Sequence, residues 1–372
     1  MRSFILTALV VLISAGVWAG PVEFQEPAVD ALDGLDPVLL VDGKEVPGTS
    51  AFSVTRGEFI YLFSTADTKK TFESDPPRYE IQLGGICAKM GKSAGGNPSD
   101  FIVHDGKIYI FGSDDCHKKF KESPGRYLAS PPPPLPTAPP AAARGRQLID
   151  RAVAAIGGAA RLDSLTSYVE SFTQVQSHPQ GEATIAITTM WSFPDRVRLE
   201  RRMMLAGKTM SSATVLAPEG MWFVAGQGQA YPMKSASRPS LEQDFGRHPV
   251  AVLRARRSPG FKAVSLGAAT VDGVEVENVR VVHGATDLTL AIAPDGRIHS
   301  ISCRDRNVEG EFGNLQVVYS SVRPVDGLQL PFAARATFNG QPYPRQSATI
   351  EVITLNTPLE PSLFAPATTG GR

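Results

Sequence analysis

Residues 130–143 read Ser-Pro-Pro-Pro-Pro-Leu-Pro-Thr-Ala-Pro-Pro-Ala-Ala-Ala. Proline locks φ and lacks an N–H, so neither a sheet nor a helix interior can run through such a stretch, which favours extended polyproline II. At roughly 3.1 Å per residue it predicts a semi-rigid spacer on the order of 40 Å long. The 372 residues are therefore expected to fold as two units, each large enough to bury its own core. The expected boundaries are 36–129 for the first unit, 130–144 for the linker and 145–368 for the second.

The chain opens with the pattern of a secretory signal. Arg2 gives a positive start, Phe4 to Ile13 is apolar apart from Thr7, and Val17 and Ala19 place small residues where a signal peptidase reads. Residues 1–19 are thus expected to be removed after Ala19, with export to the periplasm or the extracellular space. The apolar run is shorter than the roughly 20 residues a membrane span needs, and no later stretch is long enough, so a mature chain without a transmembrane segment is expected. Hydrophobic residues are 42% of the chain and charged residues 20%, a globular composition. Lys+Arg and Asp+Glu are both 37, which leaves no basic excess and sets nucleic acid aside as a partner.

Ahead of the linker the sequence repeats. Residues 59–79, FIYLFSTADTKKTFESDPPRY, align without gaps onto 107–127, KIYIFGSDDCHKKFKESPGRY, pairing Tyr61 with Tyr109, Phe72 with Phe120 and Tyr79 with Tyr127. Each copy begins with the alternation of a strand and continues as a short helix that stops before proline. The prediction is a small α+β domain of two strand–helix units, with Phe72 and Phe120 packing helix on strand.

After the linker, Leu148, Ile149, Ala152, Val153 and Ile156 share one face of a helix over Arg146–Ile156, and Gly157-Gly158 ends it. Strands are predicted at Ala183–Trp191, Val197–Met203, Met221–Val224, Val276–Val282, Leu288–Ile292, Leu315–Tyr319 and Ala348–Ile353, separated by Asp/Glu-Gly turns. One or two short helices are expected between Pro239 and Arg257. The whole reads as one large, curved antiparallel sheet with helices packed on one side.

Both halves resemble known families. The first, about 36–129, resembles the YHS domain family, related to TRASH-type metal-handling modules, through Asp36-Pro37-Val38, Tyr61-Leu62-Phe63-Ser64, Phe72, Asp75-Pro76, Tyr79 and Gly84-Gly85-Ile86-Cys87-Ala88. Metal-binding members place cysteine where this chain has Leu39, Ser64 and Thr68, and the second copy has Gly112 and Cys116 at the equivalent places. Most of such a site is therefore missing. The second half, about 146–366, is similar to the LolA-like lipoprotein carriers. That resemblance rests on the helix ending in Gly-Gly, the long strands, Trp222 after a Gly turn, Asp326-Gly327-Leu328-Gln329-Leu330-Pro331 and Phe364-Ala365-Pro366. It implies a half-open β-barrel around an apolar cavity, which Met190, Leu199, Met203, Trp222 and Phe338 would line. An ordinary packed core is the competing reading.

The remaining chemistry is thin. Cys87, Met90, His104, Cys116 and His117 combine soft sulfur with imidazole, a ligand set suited to Cu or Zn. In an oxidising compartment, Cys87 and Cys116 could instead form a disulfide. It would close a loop of about 28 residues and contribute about 3.5 kcal/mol. Two unpaired thiols are the third alternative, and Cys303 stands alone in the second half. Of the histidines, His178, His248, His283 and His299 are scattered, and no His-Glu-x-x-His pair, Gly-x-Ser-x-Gly elbow or phosphate loop occurs. On one strand Arg196, Arg198 and Arg202 share a face, and Arg201 points the other way. The expectation is a non-catalytic binding protein without a resident cofactor. Its partner would be a lipid or another apolar small molecule, with an envelope protein as a second class. A metal-handling or redox accessory acting through Cys87, Cys116 and His117 is the alternative.

Overall fold

The computed structural model describes residues 28–91, 95–178, 180–226 and 228–366, so the expected signal segment lies outside the described residues. The fold is α+β: a small unit precedes the prolines and two large antiparallel sheets follow them.

The sequence repeat is a structural repeat. In the first copy Thr49–Arg56 pairs antiparallel with Phe59–Phe63. In the second, Asn97–His104 pairs with Lys107–Phe111. Both ladders slip register, between Thr49 and Ser53 and between Asn97 and Phe101. Helices Ala66–Ser74 and Asp114–Glu122 follow, each continued by a one-turn helix that starts at proline. Strand parity then divides the packing. Ile108 and Ile110 join the core around Phe72 and Tyr61, while Tyr109 and Phe111 pack with Phe120 and Tyr127. The strand of the second copy thus serves both cores.

Ser64 and Thr68, two of the positions compared with cysteines in the sequence, have structural work here. Asp36, fully buried, accepts from the N–H and the hydroxyl of Ser64, both at 2.8 Å, and from the Val38 N–H at 3.0 Å. It thereby caps helix Pro37–Val41 and ties it to the strand. Thr68 closes a reciprocal capping box with Thr65.

The linker is shorter than expected. A helix runs from Pro139 to Ile156, because proline is tolerated in the first turn and Ala141, Ala142 and Ala143 favour helix. The remaining extended stretch does not hold the units apart, since Arg280 donates to the Pro133 carbonyl at 2.6 Å and anchors it on the second unit. The predicted helix face, from Leu148 to Ile156, is buried.

Gly145 sits on that helix where it crosses the strand Lys262–Val271; a Cβ there would lie 2.4 Å from the Ala263 carbonyl oxygen. Replacing glycine by alanine in a helix ordinarily gains about 1 kcal/mol. The obstacle here is backbone, and overpacking of that kind costs about 1–3 kcal/mol. Gly145→Ala is therefore expected to cost a net of about 0–2 kcal/mol instead of stabilising the helix, read as a urea midpoint no higher than the parent's with the slope of the transition unchanged.

The expected single sheet is two. The first orders its strands Ala230–Pro232, Gly220–Ala225, Lys208–Ala217, Arg196–Leu205, Gly181–Ser192, Ser167–His178 and Val352–Leu355. The second runs as a meander from Lys262–Val271 to Leu328–Phe338 and Gln341–Pro342. The predicted strand Ala348–Ile353 breaks in two and bridges them. Ala348–Thr349 pairs with the second sheet, the Glu351 N–H donates to the Ser171 carbonyl, and Val352–Leu355 pairs with the first. Helices Arg238–Gly246 and Pro249–Arg254 occupy the predicted interruption. They join both sheets and helix Pro139–Ile156 in one core.

Candidate functional site

A cavity of about 770 Å³ opens between the two sheets beneath helix Arg238–Gly246. Strand parity builds its first wall: Glu170 and Phe172, Thr189 and Trp191, and Leu199 and Arg201 are inward residues of three paired strands. Val317 and Tyr319 face it from the second sheet and Ile350 from the link between the sheets, with Leu241 and Phe245 from the helix. Ile86 and Gly95 reach it from the N-terminal unit, which therefore closes part of the mouth.

Its floor is polar. Helix Pro249–Arg254 starts at His248, whose Nδ1 accepts from the Val250 N–H at 3.3 Å. The bond leaves Nε2 to face Glu170 Oε2 at 3.4 Å, and Tyr168 donates its hydroxyl to the same oxygen at 3.1 Å. The His248 ring packs against Trp191 and Tyr168, each with centroids 4.8 Å apart. Burial, reinforced by Glu170, holds the Tyr168 phenol far above its usual range. Arg247 pairs with Asp305 at 2.5 Å and with Asp244 at 3.2 Å. Burial opposes that charge, yet the two carboxylates outweigh it and raise the guanidinium pKa. Cys303, beside them, is pushed up to about 11 by burial, with Arg247 pulling the other way. Among these groups none combines an activated nucleophile with a base; they orient one another.

Of the five residues expected to line a cavity, Leu199 lines this one. Met190 and Trp222 lie on the opposite face of the sheet, under Leu363 and Phe364 of the C-terminal segment. Phe338 is core, stacked on Tyr343 at 5.6 Å, and Met203 is not among the lining residues. Alternation gives two faces per strand without saying which is concave, and here both are covered. Arg196 pairs with Glu219, and Arg198 donates to the Leu363 carbonyl at 2.9 Å, so the outer arginines hold the C-terminal segment and a turn.

The sulfur and imidazole groups of the first unit do not converge on a metal. His117 turns its Nδ1 to Asp100 and stacks on Phe111; His104 faces Asp105 and the Phe120 ring; Met90 Sδ accepts from Lys89. Among the described residues no three His, Cys, Asp or Glu side chains are placed to hold a metal ion. Cys87 and Cys116 do meet, both buried and both as free thiols, so the expected bridge is not formed in this structure. They pack as small hydrophobes in the Phe120 core. Burial raises the Cys116 thiol, which Ser113 partly offsets.

The two units are docked through Arg306. Its Nη1 donates to the carbonyls of Ala88 at 3.2 Å, Lys89 at 3.1 Å and Gly310 at 2.9 Å, and its Nη2 donates to Tyr127 at 2.9 Å. The guanidinium lies 4.3 Å over the Phe312 ring, and burial lowers its pKa to about 10. Lys234 adds an ion pair to Glu58 at 2.7 Å.

No family model matches the sequence, and no curated protein matches it. Solved structures similar to it include a domain assigned to outer membrane lipoprotein sorting from Vibrio parahaemolyticus, at 10% identity over 60% of this chain and 97% of that one, with a TM-score of 0.38. A LolA superfamily protein from Nitrosomonas europaea is 12% identical over 59% of this chain and 97% of that one, with a TM-score of 0.39. A DUF1329 family protein from Desulfovibrio piger is 10% identical over the same shares, with a TM-score of 0.33.

Proposed function

We propose that this is an exported, non-catalytic binding protein that holds an apolar or amphiphilic small molecule, such as a lipid, between its two C-terminal sheets. The observation that carries the reading is the cavity itself. About 770 Å³ is left unfilled where a protein of this size would otherwise close its core, and Phe172, Leu199, Phe223, Phe245, Val317 and Ile350 contribute to its walls. A space of that size suits a ligand of small-molecule dimensions. Among the described residues no helix is long and apolar enough to cross a membrane.

The neutral probe N-phenyl-1-naphthylamine tests the reading. Its fluorescence should rise and saturate on binding to the full chain. Leu199→Arg, which sets a charge on the apolar wall, should weaken binding about 10- to 100-fold, the equivalent of one buried leucine contact. Failure of the probe to bind, together with no small molecule carried through purification, would overturn the proposal.

A further inference from the structure

The charges around the cavity pair off, with one exception. Glu170 is engaged by Tyr168 and His248, Arg247 by Asp305 and Asp244, and Lys234 by Glu58. Arg201 has no carboxylate within 4.0 Å and no hydrogen-bond partner among the described residues. The opposite charge that acts on it, Asp244, is already tied to Arg247. Arg201 is exposed where it faces the cavity, yet the surrounding protein desolvates it and lowers its pKa.

Two further donors belong to the same cavity. Trp191, 6% exposed, has a buried indole N–H that meets no acceptor in the protein. The partly buried Tyr319 hydroxyl also lines the cavity, and burial raises its pKa. The buried Trp191 donor without an acceptor costs about 1–3 kcal/mol, and Arg201 presents an unpaired cation beside it on the same wall. Such an excess of donors over acceptors is complementary to anionic oxygen, and a guanidinium presents a fork that fits carboxylate or phosphate.

We infer that Arg201 forms the headgroup subsite of the cavity and that the ligand is an amphiphile with an apolar chain and an anionic oxygen head, a carboxylate or a phosphate monoester. This rests on the cavity being a ligand site. The chain would lie along the Leu199 and Phe172 wall, and the head would take the donors of Arg201.

The test compares three ligands of equal chain length, hexadecanoate, hexadecyl phosphate and hexadecanol, on the full chain and on Arg201→Gln, by displacement of the same neutral probe. Arg201→Gln should weaken one or both anionic ligands about 10- to 100-fold, the usual worth of charge-assisted bonds, and leave hexadecanol unchanged. Which anion loses more tells carboxylate from phosphate. Arg201→Lys should restore part of the loss, and added salt should weaken the anions without affecting the alcohol. Because Arg201 has no partner to lose, the Gln variant is expected to fold with undiminished stability, which thermal melting checks. On the unaltered protein, affinities for both anions no higher than for the alcohol, or equal losses for all three ligands in Arg201→Gln, would overturn the headgroup subsite and leave the cavity reading intact. Binding by none of the three would overturn both.

Discussion

Arg306→Met should let the two units come apart. The methionine keeps most of the side-chain volume but withdraws the donors from four carbonyl oxygens, three of them on the N-terminal unit. Each buried carbonyl left without a donor costs about 1–3 kcal/mol, less where water reaches it. Docking should therefore weaken by about 3–5 kcal/mol. The other links cannot compensate. Arg126–Glu311 is an exposed pair, Lys234–Glu58 is partly exposed at 32% and 30%, and pairs open to solvent in this way contribute about 0–1 kcal/mol each. In calorimetry the docked halves should melt together in the parent and as two separate transitions in the variant. The extended stretch before Pro139 should become sensitive to protease. A variant with the parent's single transition and the parent's resistance would show that docking does not depend on this residue.

That contact also marks where reading the sequence stops. Four of its acceptors are main-chain oxygens, and a carbonyl has no signature in the residue that bears it. A stretch rich in proline reads as a spacer, and its backbone is extended up to Pro139, yet two arginines of the second sheet hold it down: Arg280 the stretch itself and Arg306 the unit before it. The repeat was legible because it is written in large apolar side chains at fixed offsets, and so was the helix face from Leu148 to Ile156. Parity along Arg196–Leu205 separated Arg201 from its three neighbours correctly. It could not say that Arg201's side was the concave one, because Met190 and Trp191 are both large, apolar and covered, one by the C-terminal segment and the other by the cavity. Glu170, His248 and Tyr319 come from two sheets and a helix and are brought together by closure of the fold, so no spacing between them carries a signal.

Phe72→Ala and Phe120→Ala should each cost about 3–5 kcal/mol, the price of emptying a packed aromatic site, but they should differ in what else they break. Both rings are fully buried at equivalent places of the repeat. Phe72 packs on Tyr61 and Phe63 at 5.0 and 5.1 Å, in the core that contains none of the residues bonded to Arg306. Phe120 packs on Phe111 at 5.1 Å and on Tyr127 at 6.2 Å, in the cluster that also holds Cys87 and Ala88. Ala88 and Tyr127 are the residues whose carbonyls receive Arg306. A cavity at Phe120 therefore loosens the socket as well as the core, and its cost should not simply add to that of Arg306→Met, because neighbours that share a network couple. Phe72→Ala shares no partner with Arg306 and should add to it within about 0.5 kcal/mol. Hydrogen exchange separates the cases. Phe120→Ala should raise exchange at the docking face and around the Ile86 side of the cavity mouth, whereas Phe72→Ala should raise it in the first repeat and along the Ile108–Ile110 strand that shares its core and leave the docking face unchanged. Equal exchange at the docking face in both variants would mean that the two cores act as one, and that the second copy has no special part in holding the cavity's cap in place.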